Sequence, residues 1–299
     1  MDAQTSPAAH RSGFVALLGR PNVGKSTLLN ALLGQKVAIV TPKPQTTRQR
    51  IIGIKTLPEA QIIFIDTPGL HAARSLINRR MVQVAERASE EADLLLWMVD
   101  AVEGITGSDR KIAERLRAEP RPLCVLLNKI DRRTSTELLP LLASLDQLLP
   151  GRDVVPVSAE RGTNLDALLT LIVRLLPEGP RLYDTDALTD QTERMLAQEA
   201  VREQVLLQTR QEIPYAVAVT IDTFEDKQDI TVISATIHVE KDSQKGILIG
   251  RRGARIKEIG RAARLELERL LGRRVFLELF VRVQEEWTTR ETLLKEFGL

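Results

Sequence analysis

The sequence predicts a doubly wound α/β domain with a mostly parallel sheet, followed by a smaller α+β domain. Three observations carry this. Short apolar runs alternate with amphipathic helical stretches over residues 13–177, the rhythm of a parallel sheet covered on both faces. Polar, glycine-bearing loops follow those runs directly, where such sheets gather ligands. Beyond Pro177-Glu178-Gly179-Pro180 the texture shifts to longer strands, long helices and one basic loop, which marks a boundary.

In the first domain the strand candidates are 14–19, 50–56, 61–66, 93–100, 122–127 and 153–157. Helical spacing falls at 25–33, 75–91, 108–118, 135–148 and 163–176. Residues 1–12 read as a flexible lead-in and 178–190 as an acidic, polar linker. The second domain runs helix, strand, strand, short helix, tight loop, long helix and strand over 191–283, and 284–299 forms a helical tail.

Bulk properties exclude more than they assign. At 299 residues the chain accommodates two domains with cores of their own. A net charge of +2 gives no global argument for nucleic acid, so any such argument must be local. The single cysteine, Cys124, rules out an internal disulfide and fits a reducing compartment. No apolar run approaches the roughly 18–20 residues that span a bilayer.

The first polar loop is Gly19-Arg20-Pro21-Asn22-Val23-Gly24-Lys25-Ser26. It lies between a strand and a helix, the context a P-loop requires. Gly19 and Gly24 let the backbone turn N–H donors onto a phosphate chain at a helix N-terminus. Lys25 reaches the β- and γ-phosphates and the Ser26 hydroxyl holds Mg²⁺. Asp66-Thr67-Pro68-Gly69 follows the third strand; Asp66 supports the magnesium shell and Gly69 offers an N–H to the γ-phosphate. Asn128-Lys129-Ile130-Asp131 follows the fifth. Its Asp131 carboxylate accepts from N1–H and the exocyclic amine of guanine, a donor pair adenine lacks, so buried acceptors reject the wrong base. Lys129 covers the base plane, Asn128 ties this loop to the P-loop, and Ser158-Ala159, after the sixth strand, turns an N–H to guanine O6. Four motifs at four strand ends predict GTP rather than ATP.

Thr41-Pro42-Lys43-Pro44-Gln45-Thr46-Thr47-Arg48 is proline-broken and basic. It reads as a switch loop whose threonine completes the Mg²⁺ shell when the γ-phosphate is present; spacing admits Thr46 or Thr47. Leu70 follows the glycine of the third-strand motif, and an apolar side chain there cannot orient water as a glutamine does. Slow intrinsic hydrolysis is the expectation.

In the second domain, Gly250-Arg251-Arg252-Gly253 joins two helical patterns. A G-x-x-G loop of this kind clamps about four nucleotides in KH modules. Lys245, Arg255 and Lys257 flank it. Lys241 to Arg274 carries eleven Lys/Arg against four Asp/Glu, whereas 182–299 as a whole carries 18 against 21. Charge concentrated on one element is the footprint of a nucleic-acid binder. An aromatic content of 3% argues against an RRM-like stacking platform. Trp287 either packs on this module or touches RNA.

GRPNVGKST at 19–27 (which adds Thr27), QTTR at 45–48, DTPGLH at 66–71, NKID at 128–131, SAE at 158–160 and GILIGRRGARIKEIG at 246–260 together resemble the Era family. These are bacterial GTPases with a Ras-like G domain followed by a type II KH domain. The resemblance covers nearly the whole chain. It implies binding near the 3′ end of 16S ribosomal RNA, a role in maturing the 30S subunit, GTP/GDP with Mg²⁺ as the switch, and a monomer. It implies K⁺ binding at Asn22 and a cytoplasmic location with peripheral association at the inner face of the membrane. Two rivals are a sister GTPase acting on transfer RNA or the large subunit, and a switch whose basic helix meets acidic lipid or protein. The G-x-x-G loop argues against both.

Overall fold

The computed structural model describes residues 10–69, 75–209 and 217–299. Leu70 and His71, named above, lie outside them, as do residues 1–9. Among the described residues two compact units emerge, one from 10–37, 50–69 and 83–190 and the other from 38–49, 75–82, 191–209 and 217–299.

The first unit is a six-stranded sheet in the order β2-β3-β1-β4-β5-β6, with β1 Arg11–Gly19, β2 Ile51–Thr56, β3 Ala60–Asp66, β4 Leu94–Asp100, β5 Leu123–Asn128 and β6 Asp153–Pro156. All neighbours are parallel except β2, which pairs antiparallel with β3 across a short turn. Every residue of β3, β4 and β5 is buried, which is why these runs lack polar alternation. Helices α1 Lys25–Leu33, α2 Leu76–Glu90 (its residues 76–82 are grouped with the second unit), α3 Gly107–Leu116, α4 Ser135–Leu148 and α5 Leu165–Leu175 complete the alternation. On one face Ile112, Ala113, Leu116 and Leu145 pack on Trp97, Val99, Val125 and Leu127. α1 stops at Gly34, whose left-handed backbone (φ 73°) lets its N–H close on Asn30 and Ala31.

Two sequence expectations shift here. The lead-in ends sooner: β1 begins at Arg11, and the Ser12 amide donates to the Pro177 carbonyl. The stretch read as a linker is laid along the first unit. The Gly179 amide donates to His10 O, Leu182 and Tyr183 donate to Gln61 Oε1, and Ile54 N donates to Leu188 O. Tyr183 and Ala187 also pack on Ile52, Ile54 and Ile63. Its backbone and two apolar residues do the binding, which its acidic composition does not reveal.

The second unit is built on a three-stranded sheet, β7-β8-β9, of β7 Ala218–Lys227, β8 Ile230–Val239 and β9 Val275–Val283. β7 is antiparallel and β9 parallel to β8. Helices α6 Glu193–Gln208, α7 Asp242–Ile249 and α8 Ala254–Leu271 cover one face, where Val201, Val205, Leu248, Ile259, Ala263 and Leu267 meet Ile233, Ala235 and Ile237. α9 Glu291–Glu296 closes the chain. Trp287 is fully buried with Leu294 and Phe297, so of its two readings, packing holds. The same unit takes in residues 38–49: Arg202 Nη2 donates to Thr46 O at 2.5 Å, Arg48 Nη1 donates to Val217 O at 2.7 Å, and the Val40 amide reaches Glu203 Oε1 at 2.9 Å. Arg48 is buried; desolvation pushes its pKa down, with Arg202 adding and Glu199 opposing.

Among the described residues no helix is long and apolar enough to cross a membrane.

Candidate nucleotide site and nucleic-acid interface

The loop between β1 and α1 forms because its backbone can take conformations other loops cannot. Gly24 holds φ 103°, and a Cβ placed there would stand 2.3 Å from Asn128 Nδ2, so the position admits glycine alone. No side chain caps the start of α1, which leaves its first N–H groups for an anionic ligand. Lys25 is buried, and its ammonium donates to the carbonyls of Gly19 at 3.2 Å and Arg20 at 3.0 Å. Burial lowers its pKa to about 8; the nearby Asp66 carboxylate opposes that fall and Arg20 adds to it. Thr27 lies half-buried in the first turn of α1.

The β3 end comes to the same place. Ser26 Oγ donates to Asp66 Oδ2 at 2.5 Å. Thr67 is turned inward, its hydroxyl donating to Leu17 O at 2.7 Å, so it anchors the motif to β1. Pro68 and Gly69 are buried, and Gly69 abuts the backbone of Pro21. A hydroxyl and a carboxylate in contact are hard oxygen donors. Among the described residues no group of three or more His, Cys, Asp or Glu converges on a point. One carboxylate beside one hydroxyl suits Mg²⁺, which keeps waters and phosphate oxygens in its shell.

The loops after β5 and β6 are cross-tied to the P-loop. Asn128 Nδ2 donates to Val23 O at 2.8 Å, and Asn128 Oδ1 accepts from the Ala159 amide at 3.0 Å. Lys129, with a left-handed φ of 66°, sends its ammonium to Asn22 O at 2.8 Å. Asp131 Oδ1 accepts from Ser158 Oγ at 2.5 Å, which aims the carboxylate. Thus the residues predicted from three separate loops are gathered with the P-loop in the first unit. Thr46 and Thr47 belong to the second unit, where Thr46 Oγ1 is 2.6 Å from Thr41 Oγ1 and donates to Lys43 O at 2.7 Å. Arg20 turns away from its own loop: its guanidinium bonds Asp109 and Glu103 at 2.8 and 2.7 Å, which raise its pKa against the opposing pull of burial.

In the second unit Gly250 (φ 69°, ψ 176°) breaks α7, and a Cβ there would meet Arg255 Cβ at 2.8 Å. Arg252 is left-handed at φ 52° and Gly253 follows at φ 76°, a tight turn that opens α8. Arg251, Arg252 and Lys257 are exposed, while Lys245 and Arg255 are half-buried. The positive charge of α8 divides. Arg264 and Arg269 pair with Glu268 and Glu266, and Arg273 pairs with Glu193 and Asp226. Among the described residues no ion pair is formed by Arg251, Arg252, Arg255 or Lys257, so the turn keeps its positive charge, as do Arg261 and Arg274.

Sequence reasoning missed Asp100. It ends β4 as the predicted site residues end or follow their strands, and its Oδ2 accepts from Lys129 Nζ at 2.5 Å. The signal was a lone aspartate closing the apolar run Leu96-Trp97-Met98-Val99.

Fold and site together define a P-loop GTPase carrying a KH domain at its C-terminal end. Residues 14–129 match the 50S ribosome-binding GTPase family and residues 212–288 the KH domain. The chain belongs to the Era GTPases. It is 49% identical to GTPase Era of Geobacter metallireducens over 290 residues, covering 96% of this chain and 97% of that protein. Against GTPase Era of Geotalea daltonii the identity is 49% over 288 residues, with the same coverage of each. Among solved structures it is similar to Era in complex with MgGDPNP and nucleotides 1506–1542 of 16S ribosomal RNA, with 43% identity, a TM-score of 0.93, and 97% of this chain and 99% of that one covered. It is likewise similar to a point variant of Aquifex aeolicus Era bound to GDP·AlF4⁻, with 43% identity, a TM-score of 0.94 and coverage of 96% and 99%.

Proposed function

We propose that this GTPase binds the 3′-terminal segment of 16S ribosomal RNA through its KH domain, under control of GTP·Mg²⁺, and so assists maturation of the small ribosomal subunit. One observation carries the reading: the relative that holds both a GTP analogue and 16S nucleotides 1506–1542 aligns with 97% of this chain, spanning both units. The exposed arginines of the G-x-x-G turn support it from this chain's own residues.

In this reading Lys25 and the first N–H groups of α1 cradle the phosphates, with Gly19, Arg20, Pro21, Asn22 and Val23 shaping the loop. Ser26, Asp66 and a threonine of the switch segment, Thr46 or Thr47, are the residues that would hold Mg²⁺, which would supply charge neutralisation at the β- and γ-phosphates. Gly69 supplies a backbone donor. In sequence Leu70 takes the place of a water-orienting glutamine, so intrinsic hydrolysis is slow. Asn128, Lys129, Asp131, Ser158 and Ala159 form the guanine pocket. Lys245, Gly250, Arg251, Arg252, Gly253, Arg255 and Lys257 grip single-stranded RNA. The G domain is assigned to 13–177 and the KH domain to 191–283, and the protein works in the cytoplasm.

Ultraviolet crosslinking to 16S RNA tests the assignment. Wild-type protein should capture the 3′-terminal fragment, and Gly250→Asp with Gly253→Asp should lose that capture while retaining GTP. Equal capture by both would contradict it.

A further inference from the structure

We propose that Asp100 is the positioning residue of the guanine site: it fixes the Lys129 side chain between β4 and the P-loop, and thereby sets how long a nucleotide stays bound. The inference rests on the guanine-pocket reading above.

Three features of the geometry carry it. Asp100 is 2% exposed at the carboxyl end of β4, in register with Asn128 of β5. Its two oxygens are divided between two tasks. Oδ1 accepts from the Val102 amide at 2.8 Å, which locks the carboxylate, and Oδ2 takes Lys129 Nζ at 2.5 Å. The same ammonium donates to Asn22 O at 2.8 Å. Lys129 is therefore strung between a strand end and the P-loop, and on the guanine-pocket reading its alkyl stem is the part that covers the base.

A lysine left to itself is a flexible stem with a strongly hydrated head. Two acceptors from two segments remove that freedom before a ligand arrives, and preorganisation of this kind lengthens residence. The backbone reinforces the arrangement: Ala101 N donates to Asn128 O at 2.8 Å, and Lys129 holds its left-handed φ of 66°. Asp100 offers guanine nothing itself. It should raise the affinity of any purine that stacks on the stem, and leave the choice of base to Asp131.

The test uses full-length protein and release of fluorescent methylanthraniloyl-GDP and methylanthraniloyl-IDP in a stopped-flow instrument. Asp100→Asn keeps the acceptor for Val102 and removes the charge opposite Lys129. It should release both nucleotides about tenfold faster, with the GDP-to-IDP ratio and the single-turnover hydrolysis rate at saturating GTP unchanged. Asp100→Glu should restore most of the residence time. Asp100→Asn combined with Lys129→Met should release no faster than Lys129→Met alone. Wild-type release by Asp100→Asn, or multiplying effects in the double variant, would overturn the proposal. Failure of the wild-type protein to retain GDP would instead overturn the nucleotide-site reading.

Discussion

Ser26 Oγ and Asp66 Oδ2, forty positions apart in the chain, share a 2.5 Å hydrogen bond. The serine in the first turn of α1 and the carboxylate that ends β3 are brought together by the parallel pairing of β1 and β3, in which Leu17 faces Asp66. A pair of hard oxygens held in this way has a testable division of labour. Ser26→Ala should weaken GTP binding by about tenfold or more in Mg²⁺ and leave the affinity in EDTA unchanged. Calorimetric titrations in the two buffers measure this directly.

Lys25 carries a pH dependence. Burial holds its pKa at about 8 in the free protein, below the ordinary lysine value near 10.4. A phosphate chain beside the ammonium stabilises the charged form and raises that pKa, so binding nucleotide takes up a proton once the free group has begun to lose its own. GDP affinity should be flat below about pH 8 and fall as pH rises through it. Lys25→Ala should bind weakly and show no such inflection between about pH 7 and 9. The sign for folding is opposite. The folded protein loses this proton before the unfolded chain does, so Lys25 adds stability as pH rises from about 8 toward the unfolded value.

Asp131 is the residue proposed to read the base. Its Oδ1 is aimed by Ser158 Oγ at 2.5 Å, and a site built to accept from guanine N1–H and the amine should be inverted when it becomes a donor. Asp131→Asn should prefer xanthosine over guanosine triphosphate in competition binding, because the amide N–H₂ then meets the xanthine carbonyl and buried polar groups are left unpaired only with guanine. Unaltered preference for GTP would remove Asp131 from the pocket.

Trp287 stabilises the second unit. It is fully buried, edge-on to Phe297 at 5.3 Å, with the Arg48 guanidinium 5.9 Å from its ring centre. Trp287→Ala should cost about 3–5 kcal/mol, seen as a lowered midpoint in thermal or urea unfolding; Trp287→Phe should lose less.

Much of this molecule was legible from local sequence, and the reason is physical. Gly24, Lys25, Ser26, Asp66, Asn128 and Asp131, the residues proposed to act, lie within a few residues of a strand end, so adjacency in the chain carries the signal. The G-x-x-G turn was legible for the same reason: its left-handed positions fall within four consecutive residues. What was not legible depends on contacts across long separations. Arg202 was one charge on an amphipathic helix until its Nη2 met Thr46 O. Asp100 was a strand-terminal acid until β5 brought Lys129 beside it. Tyr183 and Ala187 sat in an acidic stretch whose composition concealed that its backbone lies along β2 and Gln61. Trp287 offered two readings because nothing near it in sequence names Leu294 and Phe297 as its cage.

On this account one chain couples a guanine nucleotide to the grip of a KH loop on the 3′ end of 16S RNA. Fluorescence anisotropy of a labelled RNA matching nucleotides 1506–1542, titrated with this protein, tests that coupling most directly. Tight binding is predicted in GDPNP and Mg²⁺, weaker binding in GDP, and loss of both on Gly250→Asp with Gly253→Asp. Binding that ignores the nucleotide, or that survives the glycine substitutions, would contradict it.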